Sequence, residues 1–123
     1  MHKFRELKVW QRAMDFTVKV YELTAQFPKS EQFGLVSQLR RAATSIPLNI
    51  AEGAGAGSDA EFRRFLSIAA RSGYEIMTGL EISQRLGYAN EEQGKPFLAE
   101  VDEIVGMLVG LMRKLESKTS RRP

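Results

Sequence analysis

Apolar residues recur at helical spacing along the first part of the chain and form two separate stripes. The first stripe comprises Leu7, Trp10, Met14, Val18, Tyr21 and Ala25, and the second comprises Val9, Ala13, Phe16, Val20, Leu23 and Phe27. At about 100° per residue, the centres of the stripes lie roughly 140° apart on a helix. A helix in a small monomeric bundle needs only one such stripe. The pattern therefore predicts a helix over residues 5–26 with a second stripe that something else must cover.

Proline and glycine separate the next two predicted helices. Pro28 ends the first helix, and Ser30 is a candidate N-cap for a second helix over residues 31–53. Pro47 lies inside this second helix, where it removes one backbone hydrogen bond, so we expect a kink. The glycine-rich GAGAGS segment then closes the helix. Ser58 and Glu61 form an S-x-x-E capping box that opens a third helix over residues 59–86.

Helices three and four show clear apolar faces. Gly73 lies within the stripe of helix three and predicts a close helix crossing. The fourth helix begins either at Asn90 or at the GKP segment (94–96), and it runs to about residue 117. Its apolar residues cover an arc of roughly 200°, again more than a monomer requires. They are Phe97, Val101, Ile104, Val105, Leu108, Leu111, Met112 and Leu115.

Three short connections between four helices predict an all-α fold. We expect an antiparallel, up-down-up-down four-helix bundle that spans residues 1–123 as one domain, with a basic C-terminal tail at 118–123. A chain of 123 residues is long enough to bury a core without disulfides. In this topology the two termini lie at the same end of the bundle.

Composition excludes several kinds of chemistry. The chain has no cysteine, and its single histidine, His2, lies in an N-terminal segment that we expect to be mobile. Di-iron bundles need Glu-x-x-His on facing helices, which this chain lacks. We therefore predict no enzyme activity, no metal and no cofactor. The longest apolar run, residues 105–112, is too short to cross a bilayer, and the N-terminus does not resemble a signal peptide, so we expect a cytoplasmic protein without a membrane partner.

Basic residues are concentrated at the two ends of the chain, although the net charge is only +3. Residues 1–12 contain four basic residues and one acid, and residues 113–123 contain five basic residues and one acid. Because the termini share one end of the bundle, these residues would form one positive patch. The candidate nucleic-acid-binding residues are Lys3, Arg5, Lys8, Arg12, Arg113, Lys114, Lys118, Arg121 and Arg122.

A polar ridge on helix two is the second candidate site. Gln38, Arg41, Ser45, Asn49 and Glu52 fall within an arc of about 80°. Glu52 lies in the last turn, where a negative charge meets the negative end of the helix dipole. That position predicts a cationic partner for Glu52, either Arg41, Arg64 or Arg71. The alternatives are an ordinary solvated face and a direct ligand site.

Three segments resemble the bacterial four helix bundle proteins, also called 23S rRNA intervening-sequence or S23 proteins. They are SQLRRAATSIPLNIAEG at 37–53, EFRRFLSIAARS at 61–72 and LGYAN at 86–90. The resemblance implies a left-handed antiparallel bundle that assembles as a ring-like homopentamer. It also implies kinship in fold with the accessory variability proteins of diversity-generating retroelements, which are basic and pentameric and bind a reverse transcriptase and nucleic acid.

The resemblance implies structural or interface roles for a set of polar residues, namely Arg40, Arg41, Asn49, Glu52, Arg71 and Glu75. Two segments depart from the family pattern. Ala54 and Ala56 stand where members often carry an arginine, and of the residues at 75–79 only Glu75 and Thr78 match. We therefore expect a non-enzymatic homo-oligomeric binding protein whose partner is RNA, DNA or a nucleic-acid-handling protein such as a reverse transcriptase. The alternative is a protein–protein adaptor that binds no nucleic acid.

Overall fold

The computed structural model describes residues 2–120, and these residues form four long helices without any strand. Helix α1 spans Lys8–Thr24, α2 spans Leu35–Ala54, α3 spans Asp59–Arg85 and α4 spans Glu91–Ser120. Short 3₁₀ turns at Phe4–Glu6 and Lys29–Glu31 precede α1 and α2. The predicted all-α class is confirmed. Residues 118–120, which we expected in the tail, instead continue α4.

Neighbouring helices run antiparallel, because residues that lie later on one helix contact residues that lie earlier on the next. Between α1 and α2 these contacts are Thr17–Ala43 and Thr24–Arg40, and between α2 and α3 they are Ser45–Ser72 and Leu39–Gly79. Between α3 and α4 they are Gly73–Val105 and Gln84–Gly94, and between α1 and α4 they are Arg12–Glu103 and Lys19–Glu100. Within residues 2–120, the backbones of α1 and α3 do not approach each other, and neither do those of α2 and α4. Each helix therefore occupies one corner of a four-helix bundle with up-down-up-down order.

The core lies between the inward faces of all four helices. Its largest fully buried side chains include Phe16, Ile46, Phe62 and Ile104, one from each helix. Burying such a side chain stabilises the fold by about 1.5–3 kcal/mol relative to leaving it exposed. Gly73 confirms the predicted close crossing, since a Cβ there would overlap the side chain of Val105 on α4.

Side-chain caps determine where two of the helices begin. The Ser58 hydroxyl accepts a hydrogen bond from the Glu61 amide at 3.1 Å, as the capping box predicts. Asn90 and Gln93 exchange two such bonds, of 2.8 and 3.0 Å, so α4 begins at Glu91 and not at the GKP segment. Gly87 follows α3 with a φ of 78°, a left-handed conformation that suits glycine at a helix C-terminus.

The start of α2 differs from the prediction, because Ser30 does not cap it. Residues Lys29–Glu31 form a 3₁₀ turn, and α2 begins only at Leu35. The Glu31 carboxylate accepts a hydrogen bond from the Leu35 amide at 3.1 Å and another from the Tyr88 hydroxyl at 2.9 Å. The hydrogen bond to Glu31 and burial raise the pKa of Tyr88. Glu31 therefore ties the first turn of α2 to the connection between α3 and α4.

Helix α2 continues through Pro47, and α1 compensates for the missing hydrogen bond. Proline has no N–H, so the carbonyl of Ala43 lacks its usual helical donor. The Thr17 hydroxyl of α1 lies 3.1 Å from that carbonyl and 2.7 Å from the carbonyl of Ala13 in its own helix. A buried carbonyl without a donor is costly, and the single proton of the Thr17 hydroxyl is shared between the Ala13 and Ala43 carbonyls, so Thr17 partly offsets the effect of Pro47.

This arrangement predicts coupling between Thr17 and Pro47. We expect Thr17→Val to lower the free energy of unfolding by about 1 kcal/mol, because the Ala43 carbonyl loses its donor. In a Pro47→Ala background the same change should have a smaller effect, because the alanine introduced there has a backbone N–H that can donate to that carbonyl. Denaturant unfolding of the four proteins at one protein concentration measures the coupling. Equal losses in both backgrounds would contradict this account.

Candidate functional site

The stripe of α1 that contains Met14, Val18 and Tyr21 lies on the surface, so one of the two predicted stripes is left outside the core. Val18 is 57% exposed and Met14 and Tyr21 are each 42% exposed, whereas Phe16 and Val20 of the other stripe are fully buried. A helix at the corner of a four-helix bundle is covered by its two neighbouring helices and by the core between them, so one stripe of α1 faces outward. Phe4 packs against Trp10 and the Arg40 guanidinium lies over the Tyr21 ring, and Val18 between them is more exposed than Met14 or Tyr21.

This stripe borders an apolar groove between α1 and α2. The groove has a volume of about 490 Å³, and Trp10, Met14, Pro47 and Leu48 are among the residues that line it. Leu48 of α2 is 61% exposed, and Phe4 packs edge-on against Trp10 with ring centroids 5.2 Å apart. We call the surface formed by Trp10, Met14, Val18, Tyr21 and Leu48 the α1–α2 face. Its chemistry suits burial against another protein surface.

Helix α4 differs from the prediction. We expected its wide apolar arc to remain uncovered, but no large apolar side chain of residues 91–117 is exposed. Val101, Ile104 and Leu108 are fully buried, and Leu111 and Met112 pack against the core as half-buried residues. Because α1 and α3 both flank α4, the sides of the arc as well as its centre are covered.

Helix α3 instead carries an exposed apolar set that the sequence analysis missed. Tyr74, Ile82 and Leu86 are 56%, 43% and 54% exposed. Together with Thr78 they repeat every four residues, which places them along one side of the helix. The four-residue spacing is visible in the sequence, but the longer apolar stripe around Ile76 is the more prominent pattern in this helix.

The exposed side of α3 borders a second groove, between α2 and α3. This α2–α3 groove has a volume of about 800 Å³. Its lining residues are Gln38, Leu39, Arg41, Ala42, Ser45, Ile68, Ser72, Tyr74, Glu75, Thr78, Gly79 and Ile82. Ser72 donates a hydrogen bond to Ser45 at 2.9 Å across the groove, and Asn49 donates to the Ser45 carbonyl at 2.8 Å. The bond between the two serines therefore joins the polar ridge of α2 to α3, and Asn49 bonds back to Ser45 within α2.

Arg40 joins α2 to the end of α1. Its Nε donates to the Thr24 hydroxyl at 2.9 Å and its Nη2 donates to the Tyr21 carbonyl at 3.2 Å. The guanidinium also lies 4.5 Å from the centre of the Tyr21 ring. A cation near the last turn of a helix interacts favourably with the helix dipole. Arg40 therefore serves the packing of the bundle.

Glu52 does not form the ion pair that we expected. Its side chain is exposed, and it has no ion pair with any residue of 2–120. Arg64 pairs instead with Glu61 at 2.7 Å, one turn away on its own helix. Arg41 and Arg71 are exposed, as is Glu75, and none of the three takes part in an ion pair within the described residues.

The basic residues do gather at one end of the bundle, where α1 begins and α4 ends. Lys3, Arg5, Lys8, Arg113 and Lys114 are exposed there. Lys118 lies in the last turns of α4, and Arg121 and Arg122 lie outside the described residues.

Arg12 differs from the other basic residues of this end. Its guanidinium is 2.6 Å from the Glu103 carboxylate of α4, and this hydrogen bond raises the pKa of Arg12. Arg12 therefore forms an ion pair that joins α1 to α4 at the surface.

The N-terminal segment is packed on the bundle, although we expected it to be mobile. The His2 amide donates to the Ala54 carbonyl at 2.8 Å, and its ring lies 4.9 Å from that of Phe62. The His2 Nε2 is 3.8 Å from an oxygen of Asp59. Lys3 and Arg5 are thereby placed beside the connection between α2 and α3.

The described residues offer neither a metal site nor a membrane-spanning helix. Across residues 2–120, no three histidine, cysteine, aspartate or glutamate side chains are grouped so as to hold a metal ion. None of the helices described above combines the length and the apolar character that crossing a lipid bilayer requires.

Helix order and packing define a protein of the four-helix bundle class. The model of one protein family, the 23S rRNA-intervening sequence protein family, matches residues 5–110. The chain belongs to this family, which confirms the resemblance found in its sequence.

The fold is similar to a crystal structure from Bacteroides thetaiotaomicron, described as a protein with unknown function from the S23 ribosomal protein family. The sequences are 28% identical, and the match covers 85% of this chain and 97% of the other with a TM-score of 0.76. No curated protein sequence matches the chain.

The exposed position of Glu52 predicts a small effect of its removal on the stability of the subunit. We expect Glu52→Ala to change the free energy of unfolding by less than about 0.5 kcal/mol, with slight stabilisation favoured because a charge leaves the negative end of α2. Denaturant unfolding of the two proteins measures this. A loss of more than about 1 kcal/mol would indicate that Glu52 has a partner, as a buried ion pair would.

Proposed function

We propose that the chain is a non-enzymatic binding protein that assembles into a homopentameric ring and engages nucleic acid at its basic end. The observation that carries the proposal is the α1–α2 face. A contiguous apolar surface of this kind usually marks a protein interface. A closed ring would bury such a face on every subunit without leaving a free edge. The non-enzymatic part rests on the residue inventory, which has no cysteine and only one histidine.

The basic end supports a partner that carries phosphate groups. In a ring, every subunit presents Lys3, Arg5, Lys8, Arg113 and Lys114 towards the same side. Weak contacts from single subunits would then add through multivalency. RNA or DNA would be held through its phosphates with little dependence on sequence. A nucleic-acid-handling protein such as a reverse transcriptase would meet the ring at the same end.

A protein–protein adaptor is the second candidate, and specific observations favour it. Glu103 compensates the charge of Arg12, and Glu6 and Glu116 are exposed among the basic residues. The positive potential of this end is therefore lower than the count of basic residues implies. In this alternative the basic residues only keep the assembly soluble, and the grooves bind another protein.

The proposed ring predicts a mass several times that of the 13.9 kDa chain, with five copies expected. Light scattering coupled to gel filtration measures it. Val18→Glu places a charge in the α1–α2 face and should reduce the mass to that of a monomer. Ala99→Glu is the matched control, because Ala99 is exposed on α4, outside this face. A wild-type monomer at micromolar concentration would refute the assembly.

The basic end predicts salt-dependent binding of nucleic acid. Fluorescence anisotropy with labelled RNA and duplex DNA should give a log affinity that falls by about 0.9 per phosphate contact for each tenfold rise in salt on duplex. Arg113→Glu/Lys114→Glu should weaken binding and reduce this slope. Lys29→Glu/Lys95→Glu makes the same change in charge at the opposite end and should bind almost as wild type. No binding at low salt, or equal effects of the two double variants, would favour the adaptor.

A further inference from the structure

We propose that subunits meet through two different surfaces, with the α1–α2 face of one copy seated in the α2–α3 groove of the next. This inference rests on the proposed self-assembly and deepens it by naming both partner surfaces. Neither surface is paired with itself, so the contact is heterologous. It also gives a role to the exposed residues of α3 and to the polar ridge of α2.

The two surfaces lie at the same height along the bundle. Thr17 is level with Ala43 of α2, and Ser45 is level with Ser72 of α3. These two contacts place Val18 of α1 within about one helical turn of the height of Tyr74 on α3. Subunits related by rotation about an axis parallel to the bundle meet at equal heights. The α1–α2 face of one copy therefore comes level with the groove of its neighbour without any sliding of the helices.

The two surfaces are complementary in shape, and Tyr74 and Ile82 give the groove an exposed apolar edge. The α1–α2 face projects Val18, Met14 and Tyr21 outward from a single helix. The groove is a depression between two helices, with Leu39, Ala42 and Gly79 in its lining and Ile82 at its α3 side. A projecting helix packs well between two others because its ridge of side chains enters the space between them.

Charges flanking the surfaces are also complementary. Asp15 and Glu22 are exposed beside the apolar stripe of α1 and have no ion pair within residues 2–120. Arg41 and Arg71 are exposed beside the groove and are likewise unpaired in this part of the chain. By the same register Asp15 is level with Arg71, and Glu22 is close to the level of Arg41. Within the groove lining Arg41 and Glu75 offset each other in charge, so Arg71 beside the groove supplies the positive charge that is left to face the two acids.

The placement of the two surfaces favours a small closed ring. They lie on adjacent sides of the bundle and share α2, so their outward directions differ by about 90° in a square bundle. A heterologous contact repeated around a ring of five needs an angle of about 108°, and a ring of four needs about 90°. Adjacent faces therefore close a ring after a few copies, whereas opposite faces would build an open filament.

Cysteine crosslinking tests the pairing directly, because the chain has no native cysteine. The double variant Val18→Cys/Thr78→Cys places one thiol on each proposed surface, and both residues are exposed. Light scattering first checks that each variant assembles as wild type does. With a short bismaleimide we expect a ladder of covalent oligomers on a denaturing gel that ends at the ring size. Each single variant should give no covalent dimer, because Val18 does not face Val18 and Thr78 does not face Thr78. Val18→Cys/Ala99→Cys is the matched control and should remain uncrosslinked.

A second measurement uses two non-assembling variants. Val18→Glu blocks the α1–α2 face, and Thr78→Glu blocks the groove by adding a charge opposite Asp15 and Glu22. Each alone should have the mass of a monomer, and a mixture at high concentration should gain a dimer, because one intact surface of each kind remains.

The outcomes separate the two proposals. A wild-type monomer refutes the assembly itself. If the wild type assembles but the single variant Val18→Cys gives a covalent dimer, the heterologous pairing is wrong and the assembly still stands. The same holds if the wild type and Thr78→Glu both assemble. An assembled double cysteine variant that gives no ladder also overturns the pairing.

Discussion

The structure depends on a geometric constraint in α1. Its two apolar stripes lie roughly 140° apart, but a corner of a four-helix bundle buries only one of them. The stripe with Phe16 and Val20 enters the core, and the stripe with Met14 and Val18 is left outside. Contacts from neighbouring segments border this exposed stripe. The Phe4–Trp10 contact closes one end of it, and Leu48 of α2 continues it across the groove.

Some polar residues of α2 bond within the bundle, and others are exposed and free to contact another molecule. Arg40 closes the end of α1, Ser45 bonds to Ser72 of α3, and Asn49 bonds back to Ser45 within α2. The Thr17 hydroxyl of α1 shares its proton between the Ala13 carbonyl and the Ala43 carbonyl that Pro47 leaves without its helical donor. Arg41 and Glu52 lie further outward and have no ion pair within residues 2–120. The motif around Pro47 thus contributes to packing on its inner side and presents unpaired charge on its outer side, where a second molecule would meet it.

The helices and the exposed stripe of α1 could be predicted because they depend on local spacing and capping. The α1 stripe, the Ser58–Glu61 cap and the close approach at Gly73 all follow from residues a few positions apart. The failures concern contacts between distant segments. The coverage of α4 depends on both of its neighbours. Of the three arginines expected as partners of Glu52, Arg64 pairs with Glu61 on its own helix, and Arg41 and Arg71 have no ion pair within the described residues. The α2–α3 groove exists only after two helices pack, so no single stretch of sequence indicates it.

The central claim is that another copy of the chain covers the exposed stripe of α1, and Trp10 reports on it directly. Trp10 is the one tryptophan of the chain and is half-buried in the groove beside that stripe. The measurement is its fluorescence and its quenching by acrylamide over a dilution series that crosses the assembly transition. The account predicts that emission shifts to longer wavelength and quenching increases as the assembly dissociates, because Trp10 becomes exposed to water. Dissociation that leaves both the emission and the quenching of Trp10 unchanged would contradict it.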